Sequence, residues 1–180
     1  MRKKIIRQIE IPKNVEVVLD GSNIIVSGPA GKSSKKFAFG KVIFEKKEDK
    51  IILKHEKATK KEKKIIHTLS AHIKNMLEGV QKKFEYKLKI CASHFPISVK
   101  IEGDKAIIKN FLGEKKERQA KILPGAEARV EKDVIIITSI DKDIVGQTAA
   151  NFETATRIRN RDRRVFQDGI YITNKSGEDI

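Results

Sequence analysis

The sequence predicts an α+β fold of two tandem repeats, each an antiparallel β-sheet packed with one main α-helix. Three observations predict it. Short β-branched runs alternate with Gly, Asp and Asn turn signals in both halves. Each set of runs is followed by one stretch with apolar residues at helical spacing. The second half also repeats the first at a nearly constant offset. Strands in series that feed one helix make a two-layer α+β unit, because each element needs an apolar face covered.

In chain order, residues 15–19 and 24–26 read as strands, with Asp20-Gly21-Ser22-Asn23 between them as a hairpin signal. Gly28-Pro29-Ala30-Gly31 reads as a second turn, and Phe37, Val42, Ile43 and Phe44 as further strand. Lys46-Lys47-Glu48-Asp49-Lys50 forms a polar turn before the apolar run Ile51-Ile52-Leu53. Thr59 and Glu62 have capping-box spacing, which predicts a helix start. Ile65, Ile66, Leu69, Ile73, Met76, Leu77 and Val80 then form one apolar stripe, with Gly79 suited to the helix end. Phe84, Tyr86, Leu88 and Ile90 alternate with charged residues, the pattern of a half-buried strand.

The repeat places Val99–Gly103 on Val17–Gly21, Ile107 on Ile25, Ile108 on Val26 and Gly113 on Gly31, all at an offset of 82. Val134-Ile135-Ile136 falls on Ile51-Ile52-Leu53 after a one-residue slip. Ile144-Val145, Ala150 and Phe152 fall on Ile65-Ile66, Ala71 and Ile73 at an offset of 79. The expected boundaries are 1–81 for the first repeat, 82–172 for the second with its arginine-rich C-terminal segment, and 173–180 for a flexible tail without pattern.

Charge decides the class of partner. The chain has 39 Lys and Arg against 24 Asp and Glu, a formal net charge of +15 and a pI near 9.8. Such a protein binds polyanions even without specificity. The basic residues are spread along the length, which favours many phosphate contacts over one small anionic substrate. Cys91 is the only cysteine, so no internal disulfide forms and a reducing compartment is expected. Its place in an alternating apolar run marks it as a small buried hydrophobe. The first eleven residues lack the apolar run of a signal peptide, and no stretch approaches a membrane span, so a soluble intracellular protein is expected. Trp is absent and Tyr scarce, so base stacking is not the main mode of binding.

The segment 146–172, GQTAANFETATRIRNRDRRVFQDGIYI, concentrates the chemistry. It begins as a helix of small residues and runs into Arg157, Arg159, Arg161, Arg163 and Arg164. A guanidinium is planar, always charged and able to grip a phosphate with two parallel hydrogen bonds. The helix dipole favours a cation in the last turn by a few tenths of a kcal/mol, which explains one or two of the five but not Arg161, Arg163 and Arg164. The alternative is a solvated surface, but arginine is chosen here in a chain otherwise rich in lysine. Asp162 reads as the partner that fixes arginine rotamers and Asp168 as a turn former before Gly169. His94, beside Phe95-Pro96, is a second candidate RNA contact. The Asn110–Arg118 loop is a third, through Asn110, Lys115, Lys116 and Arg118. The Lys57–Lys64 run reads as a solvated helix start.

Other chemistries find no support. Gly31-Lys32-Ser33 resembles the end of a phosphate-binding loop, but Val26 stands where that motif needs glycine, so a strand-connecting turn explains it. His67 and His72 are five apart and splay on a helix, and no Cys/His cluster has zinc spacing. The acids form no catalytic pair. No metal, no cofactor and no small-molecule substrate is therefore expected, and the chain is read as a non-enzyme. The rivals kept open are an RNA-processing or RNA-modifying enzyme and a free-standing basic adaptor that binds acidic proteins or anionic membrane.

The tandem repeat, Asn110–Glu114 (NFLGE) and the 146–172 run together resemble ribosomal protein six of the large subunit over nearly the whole chain. The ending RNRDRRVFQDGIYI resembles the archaeal and eukaryotic members. The resemblance implies two lobes, each an antiparallel sheet with one helix, and a structural role in translation. It implies binding of large-subunit rRNA near the stalk base and the sarcin–ricin loop. The rRNA-contacting run then falls on Arg157, Arg159, Arg161, Arg163, Arg164, Phe166, Asp168, Gly169 and Tyr171. Implied partners are the rRNA, neighbouring ribosomal proteins near the stalk base and, as a contact left open, translation factors. The implied location is cytoplasmic and ribosome-bound, away from membranes.

Overall fold

The computed structural model describes residues 3–47 and 49–180. Met1, Arg2 and Glu48, the last within the expected polar turn, lie outside the described residues. The chain divides into two compact units, Met1–Lys83 and Phe84–Ile180.

The first unit contains β1 (Lys3–Glu10), β2 (Glu16–Asp20), β3 (Asn23–Gly28), β4 (Gly31–Lys36), β5 (Ile43–Lys47), β6 (Lys50–Ala58) and α1 (Lys60–Gln81). Two antiparallel three-stranded sheets form, ordered β2-β3-β4 and β1-β6-β5. Alternation along the strands turns Val17, Ile24, Val26, Ile51 and Leu53 inward, where Ile66, Ile73 and Val80 of the helix meet them. Thr59 caps α1 in a complete capping box. Hydrogen bonds from the Thr59 hydroxyl and backbone hold the Glu62 carboxyl down to about 2.

Two local expectations are corrected in this unit. Gly79 does not end the helix: α1 continues to Gln81, and Gly79 is buried within it. The helix end is tied from outside, where Ala30 N–H donates to the Val80 carbonyl at 2.8 Å. A Cβ on Gly28 would lie 2.8 Å from that same carbonyl, so only glycine permits the approach. Gly31-Lys32-Ser33 is not a turn but the start of β4, whose polar sequence hid it from a hydrophobic pattern. The turn itself is Pro29-Ala30, between paired Gly28 and Gly31.

The second unit contains β7 (Phe84–Cys91), β8 (Ser98–Glu102), β9 (Lys105–Lys109), β10 (Arg118–Lys121), β11 (Glu127–Glu131), β12 (Val134–Ser139), α2 (Lys142–Ala155), β13 (Gly169–Lys175) and β14 (Glu178–Asp179). Strand by strand it repeats the first: β8-β9-β10 form one sheet, and β11-β12-β7 copy β5-β6-β1. The addition is β13, laid on the free edge of β7, with β14 beyond it.

The repeat registers are set by pairing and burial. The helix offset of 79 holds, since Ile66, Leu69, Ser70 and Ile73 and their counterparts Val145, Thr148, Ala149 and Phe152 are all buried. The slip at Val134 is wrong by one. Lys47 pairs with Lys50 and Glu131 with Val134, so Ile135 matches Ile51 and Ile137 matches Leu53. A one-residue error in a strand exchanges its inner and outer faces, and here all four matched side chains are fully buried. Gly113 does not match Gly31 either. Ser34 pairs with Ile25 but Gln119 with Ile107, so the second copy holds three more residues at that turn.

Two further expectations change. Residues 173–180 are not a patternless tail: Thr173–Lys175 continue β13, and Glu178-Asp179 fold back to pair with Asn174 and Lys175. Cys91 ends β7 half-buried rather than inside the core.

Candidate nucleic-acid interface

The arginine segment starts where α2 is stopped and its end tied down. Asp141 caps the start of α2, accepting from Asp143 N–H at 2.9 Å. At the other end Thr156 is buried. Its hydroxyl donates to the Phe152 carbonyl at 3.1 Å and accepts from Ile170 N–H at 3.0 Å. One side chain thus joins the helix end to the start of β13. Glu153 adds a second tie, accepting from Ile172 N–H at 3.0 Å.

Arg118 completes the helix end. Its Nη1 donates to the carbonyls of Ala155 at 2.9 Å and Arg157 at 3.2 Å. Its Nε and Nη2 grip Glu114 at 2.8 and 2.6 Å, and the guanidinium lies 4.2 Å over the Phe111 ring. The Arg118 hydrogen bonds hold the Glu114 carboxyl below its usual range. A cation on the last carbonyls of a helix is favoured by its dipole.

Between Thr156 and Gly169 the chain leaves regular structure. Ile158 tucks inward, while Arg157, Arg159, Arg161, Arg163 and Arg164 are all exposed. Asn160 takes a left-handed φ of 56°, which asparagine tolerates better than most residues. Asp162 organises the turn that follows. Its carbonyl accepts from Phe166 N–H at 2.9 Å, and its carboxylate accepts from Arg164 N–H, Nε and Nη2. These bonds keep the carboxyl below its usual value. Among the described residues, Arg164 alone of the five makes an ion pair.

The segment is tied back at Phe166–Gly169. One face of the Phe166 ring stacks on His94 at 4.9 Å, and the Arg161 guanidinium lies 4.8 Å from the ring centre. Asp168 has no exposed surface. Its carboxylate accepts from Ser93 N–H at 3.0 Å and His94 N–H at 3.2 Å, and contacts His94 Nδ1 at 3.1 Å. Burial pushes this carboxyl up, but the His94 and backbone hydrogen bonds outweigh it and hold it below its usual value. The Tyr171 hydroxyl donates to the Gln167 carbonyl at 3.2 Å, and burial pushes that hydroxyl up.

The fourteen residues singled out in the sequence therefore divide. The five arginines, Phe166, Tyr171 and His94 gather around one segment. Asp168 and Gly169, expected among the RNA contacts, are both buried, and the Asp168 carboxylate is already bonded to the 93–94 backbone. Asp168 is not a turn former either, since it clamps the 93–94 backbone. Gly169 opens β13 with no left-handed φ. A Cβ there would lie 3.0 Å from the Tyr171 ring, so glycine makes room for that ring. Arg118 is likewise committed to the protein, its forks filled by Glu114 and two carbonyls. Lys115 and Lys116 are exposed on the β9–β10 connection, and Asn110 donates to the Pro96 carbonyl at 3.1 Å. Sequence reasoning missed Thr156, Glu153 and Ser93, because each acts through one long-range bond that leaves no periodic trace.

Beside the arginine segment lies an open cleft of about 420 Å³ whose walls include Arg157, Arg163, Phe166 and Tyr171. Among the described residues no cluster of His, Cys, Asp and Glu could hold a metal, and no helix is long and apolar enough to cross a membrane.

Comparison with known proteins gives a consistent answer. The family described as ribosomal protein L6 matches residues 11–83 and 95–169, one match in each unit. Large ribosomal subunit protein uL6 of Methanobrevibacter smithii is 46% identical over 168 residues, covering 93% of this chain and 94% of that protein. The uL6 protein of Aeropyrum pernix is 44% identical over 169 residues, covering 93% of each. That of Methanocella arvoryzae is 45% identical over 172 residues, covering 95% of this chain and 97% of its own.

Proposed function

This chain belongs to the ribosomal protein L6 family, and from that premise we propose that it is a structural component of the large ribosomal subunit that binds and stabilises large-subunit rRNA. Members of this family are ribosomal proteins and not enzymes. The finer reading places the bound rRNA near the stalk base and the sarcin–ricin loop. Neighbouring ribosomal proteins are the partners there, and the protein works in the cytoplasm as part of the ribosome.

One observation carries the reading: five exposed arginines sit on a segment fixed at both ends, by Thr156 and Arg118 before it and by Asp168 and Phe166 after it. Fixing the backbone lowers the entropy lost when the guanidiniums meet phosphates. Each phosphate neutralised releases condensed counterions, so binding draws its strength from salt-sensitive contacts. The arrangement suits folded RNA, whose phosphates and 2′-hydroxyls are recognised by shape more than by sequence. His94, Lys115 and Lys116 extend the basic or hydrogen-bonding surface of the same unit.

Co-sedimentation with large subunits tests this. The protein is expected to pellet with subunits through washes of moderate salt. Complete release under those washes, with the protein still folded, would leave only an adaptor that meets the ribosome transiently.

A further inference from the structure

Tyr171 is an exposed aromatic side chain of the arginine face that has no ring partner among the described residues. Both neighbours of Phe166 are already in place, with His94 stacked on it and Arg161 against it. Tyr171 differs. Its hydroxyl is tethered to the Gln167 and Asp168 carbonyls at 3.2 and 3.4 Å. The backbone of Gly169 approaches the ring so closely that a Cβ would lie 3.0 Å from it. The ring is thus held at its tip and along one side, yet Tyr171 remains 43% exposed. It lines the 420 Å³ cleft together with Arg157 and Arg163.

A rigid aromatic face beside two cations that make no ion pair among the described residues matches the two halves of a nucleotide. Bases stack on aromatic faces whatever their sequence, and phosphates take guanidinium forks. The cleft lies within the size range of sites for one small ligand. A base locked inside a duplex is already stacked on both sides and cannot enter.

We infer that this cleft holds one unpaired nucleotide of the bound RNA, its base stacked on the open face of Tyr171 and its phosphate held by Arg157 and Arg163. The inference rests on the rRNA-binding reading above and adds to it a contact that separates unpaired from paired RNA.

The test uses the whole protein with two RNA probes, a 12-nucleotide oligouridylate and a duplex of oligouridylate with oligoadenylate. With no Trp and only two Tyr in the chain, and Tyr86 buried away from any stacked base, quenching of tyrosine emission by the probe reports on Tyr171. The single strand is expected to quench that emission, and the duplex to bind in a salt-dependent way without quenching. Tyr171→Leu should weaken single-strand binding roughly tenfold while leaving duplex binding unchanged. Tyr171→Phe keeps the ring against Gly169 and should bind the single strand nearly as wild type, which guards against a folding artefact. Equal quenching by both probes, or an equal loss on both in Tyr171→Leu, overturns the inference while leaving RNA binding intact. Failure of the wild type to bind either probe overturns the rRNA reading itself.

Discussion

At the scale of single residues, Asp168 shows how a buried charge can hold a basic segment in place. The carboxylate accepts three contacts from the 93–94 loop and has no exposed surface. Asp168→Asn keeps the shape but leaves buried donors poorly matched, and is expected to cost about 1–3 kcal/mol, read from urea unfolding at pH 7. The pH dependence has a definite sign. A carboxyl held below its unfolded value stabilises the fold above that value and loses the contribution as pH falls through its lower folded value. The gap between wild type and Asp168→Asn should therefore be full at neutral pH and shrink below the usual aspartate value of 3.8. A gap that stays constant down to acid denaturation would assign the effect to packing. Arg118 makes a second residue-scale case. Four hydrogen bonds from its guanidinium serve Glu114 and two carbonyls at once, so Arg118→Ala should cost on the order of 1–2 kcal/mol, and Arg118→Lys should recover little of it.

Among elements, the contrast between the ends of α1 and α2 decides where the arginine segment sits. In the first copy the helix runs to Gln81 and passes at once into β7. In the second it stops at Ala155, and after the intervening residues 156–168 the chain returns as β13 on the open edge of β7. Thr156 bridges those two events by bonding Phe152 on one side and Ile170 on the other. Thr156→Val removes that bridge while nearly keeping the volume. Amide exchange at Ile170 is expected to accelerate while exchange in α1 does not change, because only the former loses its acceptor. The strands β2, β3, β5, β6, β7, β8, β9 and β12, the capped start of α1 and the helix offset of 79 were legible in the sequence, because period and capping chemistry are local; β1, β10 and β11 were not read from it. The polar strand β4, the three extra residues before β10 and the β13–β14 hairpin were not. Their pairing is specified by partners distant in sequence and by backbone bonds that carry no side-chain signature.

Across the molecule, every strand pairing among the described residues stays within one unit. Fragments 1–83 and 84–180 are accordingly expected to unfold cooperatively when expressed separately. A fragment that remains unfolded while the whole chain is stable would show that its core needs the other. The net charge of +15 makes RNA binding salt-dependent throughout, but the share carried by the arginine segment is measurable. Replacing Arg161, Arg163 and Arg164 with Ala should reduce the slope of log affinity against log salt by about 2–3 if each meets a phosphate. Since the three side chains are exposed, the thermal midpoint should move little. An unchanged slope would remove them from the interface.

By itself the sequence determined that the chain is a duplicated α+β protein and that its cationic chemistry gathers at 157–164. Both properties are written in period, composition and spacing, which act over a few residues. Only the tertiary structure decided which of the fourteen singled-out residues are exposed and which are tied into the protein. It turned the arginines outward and drew Asp168, Gly169 and Arg118 into the protein. It also set Tyr171 on the wall of a cleft rather than in a core. That assignment depends on contacts across tens of residues, such as Asp168 with Ser93 and Arg118 with Ala155, and exposure follows from where those contacts close.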